Sequence, residues 1–532
     1  MNWPKKCSVL ILAVTILALT LRLPRLDRRP MHGDEAVHAV KFGSLLEKGH
    51  YRYNPDEYHG PTLNYFTLIP AWLSGTDKFK DLTEFTLRIV PVFFGVCLVL
   101  MPLLLLDGLG RPAVIIAAAL TAISPAFVFY SRYYIQEMLL VCFTFGAIAF
   151  GYRYTRSKNI IWALLTGVCL GLMHATKETF IIAFASILLA LLLTWMMGRS
   201  RSGSPLNIGK IVKPSHVVIA VVAAVIISAS FYSSFLTNPA GILDSVRTYS
   251  TYLNRASQNN LHLHPLYYYL KMLVYSKYAD GPVWSEAVIV LLAVVGFIVA
   301  MKRKTISAVN SHLLTFIAFY TLIMTVLYSV IPYKTPWCLL GLLHGMILLA
   351  AVGVVALVKL VPNVLPRLIV ILLLLGGGCH LAWQAYLAGY KFYADTRNPY
   401  VYAHPVADVV TIAQRVEEMA HVHPSGLNMH IQVICPEDDY WPLPWYLRSF
   451  PNVGWWNKVG ENTPAAPLII ASPSVETVLK NKLDKLKSPY VPLFNLYKEL
   501  RPQVELRAYV TKDLWDSYQQ HQVELILSQP NR

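Results

Sequence analysis

The stretch LLGLLHGMILLAAVGVVALV, residues 339–358, contains twenty consecutive residues without a single Lys, Arg, Asp or Glu. A helix of about 20 apolar residues is long enough to cross the hydrocarbon core of a bilayer. About eleven stretches of this kind occur, centred on Leu12, Val96, Ala122, Phe143, Val168, Leu188, Val225, Val294, Ile323, Leu348 and Leu373. The sequence therefore predicts an α-helical polytopic membrane protein with about eleven transmembrane helices.

The composition excludes a single water-soluble globule. Of the 532 residues, 55% are hydrophobic and only 14% are charged, whereas a soluble domain has about 25% charged residues. Lys and Arg number 46 against 30 Asp and Glu, which gives a formal net charge of +16. Such a surplus can reflect nucleic-acid binding, anionic lipid binding or membrane topology, and the apolar stretches favour topology.

Basic residues concentrate in alternate loops between the predicted spans. With a cytoplasmic N-terminus, the loops on that side contain Arg153, Arg156, Lys158, Arg199, Arg201, Lys210, Lys213, Lys302, Arg303, Lys304, Lys359 and Arg367. The positive-inside rule then predicts a multi-pass protein of the cytoplasmic (inner) membrane, without a nucleic-acid partner. Four arginines depart from the rule, because Arg22, Arg25, Arg28 and Arg29 follow the first span on the outer side.

The tail differs from the rest of the chain. Helix-like stretches at 406–419 and 475–486 alternate with strand-like runs at 430–435 and 468–471. This alternation is typical of a small α/β domain. We therefore predict two domains, a membrane domain over 1–386 and an extracytoplasmic α/β domain over 387–532.

Two adjacent carboxylates lie just outside the first span, in MHGDEAVH at residues 31–38. Asp34 and Glu35 are flanked by histidines and preceded by arginines, which suits acid–base chemistry on a membrane-tethered substrate. The alternative is that both residues merely begin an interfacial helix at 36–46, since acidic residues favour helix N-termini.

Two further outer segments contain potential ligands. The run NPDEYHGPTLNY, residues 54–65, places Glu57 and His59 before a Gly-Pro turn, and the middle loop places His262 and His264 in a His-x-His pair. Such groups can hold a divalent metal cation or a phosphate. They can equally be solvated loop residues.

Other ionisable residues fall at the outer ends of the predicted spans, notably Arg88, Lys177 and the Tyr333–Lys334 pair. Charged groups at membrane depth are costly and usually mark function. Near span ends this cost falls, because long side chains reach the interface, and Lys177 can simply pair with Glu178. The tail motif PEDDYWPLPWYLR, residues 436–448, fits a structural or acceptor-contacting helix start better than a nucleotide-sugar metal site.

Taken together, these motifs resemble the GT-C glycosyltransferases, in particular the protein O-mannosyltransferases and the lipid A aminoarabinose transferases. The likeness rests on GDEA at 33–36 and HGP at 59–61, with LRIVP at 87–91, SRYY at 131–134, GLMHATKE at 171–178 and YKTPW at 333–337. The tail motif WPLPWYLR, residues 441–448, is similar to a branch of the superfamily associated with flippase activity.

The resemblance implies roles for single residues. Asp34 matches the catalytic base, and Glu35 matches the acidic neighbour that organises the site. His59 takes the place of a lysine that contacts the lipid phosphate in the aminoarabinose transferases. Lys334 and Tyr333 are implied phosphate contacts by position, and Arg88 and Lys177 are further substrate-binding candidates. Glu57, His262 and His264 are the candidate metal ligands.

These implied roles are those of an inverting glycosyltransferase that acts at the outer face of the cytoplasmic membrane. Its donor would be a sugar on a polyprenyl phosphate, and its acceptor a lipid, a glycan or a protein. One alternative is a transporter or flippase for lipid-linked sugars, although such proteins place their sites at the midplane between repeated halves, and no internal repeat is apparent. Another alternative is a non-catalytic partner of a glycosylation enzyme.

Overall fold

The computed structural model describes residues 5–56, 59–202, 212–258, 262–302, 309–406, 408–494 and 498–528. Up to residue 391 the described chain is helical. Its helices are α1 (Lys5–Arg22), α2 (Gly33–Lys48), α3 (Thr62–Leu73), α4 (Glu84–Leu100), α5 (Leu106–Leu109), α6 (Arg111–Ile123), α7 (Pro125–Tyr130), α8 (Glu137–Ser157), α9 (Ile160–His174), α10 (Phe180–Ser202), α11 (Pro214–Tyr232), α12 (Ala240–Gln258), α13 (Tyr268–Val274), α14 (Ala287–Lys302), α15 (Ser311–Val330), α16 (Leu339–Leu360) and α17 (Val364–Tyr386).

The tail combines helices with strands. Its helices are α18 (Asp408–Val422), α19 (Leu443–Tyr446), α20 (Glu476–Leu483) and α21 (Lys512–Ser528). Its strands, within the described residues, are β1 (Ile431–Ile434), β2 (Val453–Trp456), β3 (Leu468–Ala471), β4 (Tyr490–Pro492), β5 (Lys498–Arg501) and β6 (Val504–Thr511).

Each of the eleven predicted apolar stretches forms a helix. In the described part of the chain, seven helical segments are long and apolar enough to cross a membrane, and α1, α6, α9 and α14 are shorter apolar helices. The fold class predicted from the sequence, a polytopic helical membrane protein with a small α/β domain, is confirmed.

The long apolar helices differ in how much of their surface the protein itself buries. Only 6% of the apolar window is buried in the segment Val364–Lys391 and 11% in α11, against 78% in Pro336–Leu360. Apolar side chains that the protein leaves uncovered suit contact with lipid. The helices α11 and α17 therefore form part of the lipid-facing surface, whereas α16 is a central helix.

Small residues allow two of the spans to pack closely. A Cβ added to Gly296 of α14 would lie 2.0 Å from the Leu349 carbonyl oxygen of α16, and one added to Gly353 would lie 2.2 Å from that of Leu292. Glycine is required at both positions because the backbones themselves are in contact, which is a common way for membrane helices to pack.

By packing, the chain divides into two compact units. The helical unit comprises Met1–Leu26, Ser44–Thr76 and Thr83–Tyr402. The tail unit comprises Asp27–Gly43, Asp77–Leu82 and Ala403–Arg532. Two segments of the first outer loop therefore pack with the tail. The domains 1–386 and 387–532, drawn from sequence, stay a prediction.

The tail unit is built on a sheet with strand order β2-β1-β3-β6-β4, in which β5 also pairs with β6. The strands β1, β2 and β3 are parallel, and β6 runs antiparallel to β3, β4 and β5. Helices α18 and α21 contribute to the hydrophobic core on one face, and α20 contributes to a smaller core on the other. Alternate residues of β3 point to opposite faces of the sheet, and a hydrophobic core covers each face. The strand β3 is therefore buried along its whole length.

The core of the tail unit can be tested at β3. Leu468 is fully buried and Leu486 is 38% exposed. A Leu-to-Ala substitution can therefore be compared at a buried and at an exposed position. Leu468→Ala should destabilise the unit by about 2–5 kcal/mol through lost burial and a cavity, whereas Leu486→Ala should have little effect. The measurement is trypsin cleavage of the tail, in the full chain in nanodiscs, at increasing urea concentrations. The urea concentration at which half of the tail is cleaved is the midpoint. Equal midpoints for the two variants would contradict this core.

Candidate functional site

The N-terminus of α2 is stabilised by the residues that begin it. The backbone N–H of His32 donates to Glu35 Oε2 at 3.1 Å, and the N–H of Asp34 donates to His32 Nδ1 at 3.0 Å. The side chains of Glu35 and His32 thus satisfy two backbone donors at the start of the helix, those of His32 and Asp34, which would otherwise lack an intrahelical partner. The prediction that acidic residues begin a helix here is correct, and the helix starts at Gly33.

The two adjacent carboxylates lie in different environments. The Glu35 side chain is completely buried and forms an ion pair with Arg29 Nη2 at 3.2 Å. The Asp34 side chain is 52% exposed, with Oδ2 3.9 Å from His32 Nδ1. Glu35 is therefore committed to holding the loop, and Asp34 is the carboxylate that a substrate can reach.

The tail motif 441–448 holds this loop within the tail unit. The N–H of Met31 donates to the Tyr446 hydroxyl at 2.9 Å, and Arg448 Nη2 donates to the Leu82 carbonyl at 2.9 Å. Phe79 packs edge-on against Trp445, with ring centroids 6.0 Å apart. The motif therefore has a structural role, which is one of the two alternatives that its sequence left open. Tyr446 is a functional candidate that the sequence did not single out.

His404 is a second residue that the sequence did not single out. It is buried in the tail unit, with its ring centroid 5.7 Å from that of His32. Burial, followed by the nearby Arg29, holds the pKa of His404 well below its usual value. His404 is therefore a neutral neighbour of the residues that cap α2. Nothing in the local pattern around residue 404 indicates this contact.

In the helical unit, two motifs that the sequence presents separately form one structure. The turn at Gly60 rests on the end of α9, so that a Cβ on Gly60 would lie 2.2 Å from the Ala175 carbonyl oxygen. The N–H of Thr62 donates to that same oxygen at 3.2 Å, and Thr62 Oγ1 donates to Thr176 Oγ1 at 2.8 Å. The segment 59–62 is thereby fixed on the segment 175–178.

This docking pairs His59 with Glu178. His59 Nδ1 lies 2.7 Å from Glu178 Oε2, with the imidazole 24% exposed and the carboxylate buried. Burial alone would raise the pKa of Glu178, but His59 reverses the shift, and the net pKa is lowered. The carboxylate consequently stays charged and orients the ring of His59.

The other two predicted cations of this region have internal partners. Lys177 is buried and forms an ion pair with Glu137 at the start of α8, rather than with Glu178 as the alternative supposed. Arg88 is fully buried and donates to the Leu26 carbonyl at 2.6 Å. The charge of Lys177 is therefore compensated by a carboxylate, and the guanidinium of Arg88 is bound to backbone inside the helical unit.

The third cluster brings the middle loop and the late outer loop together. The N–H of Lys334 donates to the His262 carbonyl at 3.0 Å, and the N–H of His264 donates to the Pro332 carbonyl at 3.1 Å. The ring of Tyr333 lies against that of His262, with centroids 4.9 Å apart. The structure thus places the candidate metal ligands His262 and His264 side by side with the candidate phosphate contacts Tyr333 and Lys334.

Lys334 differs from Lys177, whose partner is the carboxylate of Glu137. Lys334 is 1% exposed, and its Nζ donates to the carbonyls of His264 and Ile331. Within the described residues it forms no ion pair with a carboxylate. Burial lowers its pKa, because nothing anionic offsets the loss of hydration. An anion that approached Lys334 would supply the missing counter-charge.

The residues predicted to bind a metal do not form a ligand set in the described chain. His262 Nδ1 contacts the Tyr402 hydroxyl at 2.6 Å, and His264 stacks on Tyr268 at 4.1 Å. Glu57 lies outside the described residues. Among those that are described, no group of three or more His, Cys, Asp or Glu could hold a metal ion. A divalent cation therefore stays a prediction without a matching site.

A cleft opens between the spanning helices α8, α10, α15 and α16. Its walls are mainly apolar, with Glu137 and Thr179 among the few polar side chains that line it. Trp337 and Cys338, which closely follow Lys334, also line the cleft. Neither His59 nor Lys334 lines this cleft, but Thr179, the residue after Glu178, does.

The docking of segment 59–62 is testable at Gly60. Gly60→Ala should force the turn away from α9, because the new Cβ would overlap the Ala175 carbonyl oxygen. We expect a lower thermal midpoint, by several degrees, for the full chain in nanodiscs, and loss of the hydrogen-exchange protection of Thr62. Gly151→Ala is the matched control, since nothing lies within 4 Å of the added Cβ. Equal protection in both variants would contradict the docking.

The comparisons with known proteins agree with this geometry. Residues 63–237 match the family model described as dolichyl-phosphate-mannose-protein mannosyltransferase. A comparison with curated protein sequences finds no match.

Solved structures match over most of the chain. ArnT from Cupriavidus metallidurans bound to undecaprenyl phosphate has a TM-score of 0.63 at 14% identity, over 95% of this chain and 98% of that one. The apo oligosaccharyltransferase of Archaeoglobus fulgidus has a TM-score of 0.61 at 12% identity, over 92% and 70%. Archaeal oligosaccharyltransferase AglB from the same organism, in complex with an inhibitory peptide and a dolichol-phosphate, has a TM-score of 0.56 at 11% identity, over 90% and 71%. The chain therefore has the fold of these solved structures, and the fold predicted from the sequence resemblance is confirmed.

Proposed function

We propose that this protein is an integral membrane glycosyltransferase that transfers a sugar from a polyprenyl-phosphate donor to an acceptor on the extracytoplasmic face. The match to a mannosyltransferase family model and the shared fold support this class. The relatives ArnT and AglB are solved with undecaprenyl phosphate and dolichol-phosphate respectively, which supports a polyprenyl-phosphate donor. The observation that carries the proposal is the exposed carboxylate of Asp34 beside the buried carboxylate of Glu35.

In this mechanism Asp34 is the general base. It takes the proton of the acceptor hydroxyl while that oxygen attacks the anomeric carbon of the donor sugar. The bond from the anomeric carbon to the phosphate oxygen breaks on the opposite face, so that the configuration inverts and polyprenyl phosphate leaves. Glu35 stays deprotonated in its contact with Arg29 and positions the loop.

The leaving phosphate requires positive charge that is not already compensated. Lys334 is one candidate, because its described contacts are carbonyl groups rather than carboxylates. His59 keeps a partly exposed imidazole whose ring Glu178 orients. Tyr333 can donate a hydrogen bond, whereas Lys177 and Arg88 help mainly by holding the surrounding structure.

The polyprenyl chain requires an apolar surface within the membrane. The cleft between α8, α10, α15 and α16 offers one, since aliphatic and aromatic residues form most of its lining. Binding of part of the chain there would place it beside Glu137 and Thr179, two of the polar residues that line the cleft.

The orientation of the protein follows from the charge distribution and can be tested directly. We expect the N-terminus in the cytoplasm of a cell whose inner membrane holds the protein, and the tail outside. A phosphatase reporter that is active only outside the cytoplasm should therefore be active when fused after Ser528. The same reporter placed after Lys158, in a loop assigned to the cytoplasm, should be inactive. The reverse pattern would contradict the orientation.

Replacing Asp34 tests the chemistry. Asp34→Asn keeps the size of the side chain but removes the base, so transfer should fall by about 10²- to 10⁴-fold. The assay supplies the purified chain in nanodiscs with polyprenyl-phosphate sugars and measures sugar transfer. Asp27→Asn, an exposed carboxylate of the same loop, is the matched control and should transfer at the wild-type rate.

Two outcomes would contradict the proposal in different ways. Full transfer by Asp34→Asn would mean that another group is the base. A wild-type protein that moves lipid-linked sugars between leaflets without transferring them would instead identify a flippase. Glu35→Gln should also lose activity, but in proportion to lost folded protein, because Glu35 caps α2 and pairs with Arg29.

A further inference from the structure

An aromatic and acidic turn lies directly beside the Asp34 loop in the tail unit. The turn comprises residues 436–441, between β1 and α19. A Cβ built on Gly33 would be 3.8 Å from the Cβ of Trp441. Trp441 therefore lies next to Gly33, the residue that immediately precedes Asp34.

Arg501 of β5 holds this turn in place. Its Nη1 donates to the Trp441 carbonyl at 2.8 Å, and its Nη2 forms an ion pair with Asp439. One guanidinium thus binds both ends of the segment 439–441. Since the Trp441 contact uses the backbone oxygen, the fixed position of the turn does not depend on the indole ring.

The rings next to Trp441 extend the aromatic surface. Tyr440 lies 5.9 Å from Trp441 and 4.6 Å from Trp455 between ring centroids, at interplanar angles of 35° and 40°. All three residues are partly exposed. The carboxylate-bearing residues Glu437 and Asp438 of the same turn are exposed as well.

Partly exposed aromatic rings beside exposed carboxylates match the chemistry of a sugar. The ring face of Trp or Tyr packs on the C–H face of a pyranose, and carboxylate oxygens accept hydrogen bonds from its hydroxyl groups. We infer that the Trp441 turn is the acceptor subsite and that the acceptor is a glycan, one of whose hydroxyl groups reaches Asp34. This inference rests on the proposed function, because it assumes that Asp34 is the base.

A peptide acceptor is the main rival. The strand β2 lies at the edge of the sheet, and an extended peptide can bind such an edge through backbone hydrogen bonds. That mode would depend little on the indole of Trp441. The glycan mode depends on it directly, so the two acceptors can be separated by replacing one side chain.

The test uses the full chain in nanodiscs on an array of neutral oligosaccharides and on an array of peptides. Trp441→Ala should weaken oligosaccharide binding by about tenfold or more, as truncation of a central aromatic contact does. Trp441→Phe should retain most of the binding because it keeps a ring face. Trp456→Ala is the matched control, since Trp456 is exposed on β2 next to Trp455 but points to the opposite face, and it should bind as wild type.

The outcomes separate this inference from the proposed function. Binding to peptides alone, or oligosaccharide binding that Trp441→Ala leaves unchanged, would overturn the glycan subsite. A second outcome is that transfer requires Asp34 but that Trp441→Ala leaves the acceptor KM unchanged. It would overturn the subsite and leave the proposed function standing. Glycan binding that is lost in Trp441→Ala, in a protein without transferase activity, would support the subsite and contradict the proposed function.

Discussion

Backbone groups inside a bilayer must find hydrogen-bond partners within the protein, and this constraint governs where the chain can leave its helices. At the outer end of α1 the partners are arginines. Arg22 is fully buried and donates to the carbonyls of Thr121 and Ala122. Arg132 donates to the carbonyls of Pro24 and Arg25. The guanidinium of Arg132 thus takes the place of water at the non-helical segment after α1, and that of Arg22 does so at the end of α6.

Such contacts involve two of the four arginines by which the loop predicted to be outside departs from the positive-inside pattern. Arg22 is bound to carbonyls, and Arg29 is paired with Glu35. These charges are part of the folded structure, so they do not act as free topology signals. A loop-charge rule counts residues without regard to burial, and it cannot distinguish a structural arginine from a solvated one.

Much of the fold could be predicted from the sequence, because apolar length and strand-like or helix-like periodicity are local properties. The spans and the strands β1 and β3 belong to this class. What could not be predicted is which motifs meet. The contact of Gly60 with Ala175 and that of Met31 with Tyr446 join distant segments, and no local pattern encodes them. The different roles of Asp34 and Glu35 were likewise hidden, because only burial separates two adjacent carboxylates.

The hydrogen bond between Met31 and Tyr446 spans 415 residues of sequence, and this separation has a consequence for biosynthesis. At about 5–20 residues per second, a ribosome needs roughly 20–80 s to reach Tyr446 after it has made Met31. During that interval the first outer loop lacks the tail residues that fix it, although most of the membrane helices have already been made. The loop bearing Asp34 is thus completed last, and a chain whose synthesis stops just before Tyr446 would carry the membrane helices without the contact that fixes this loop.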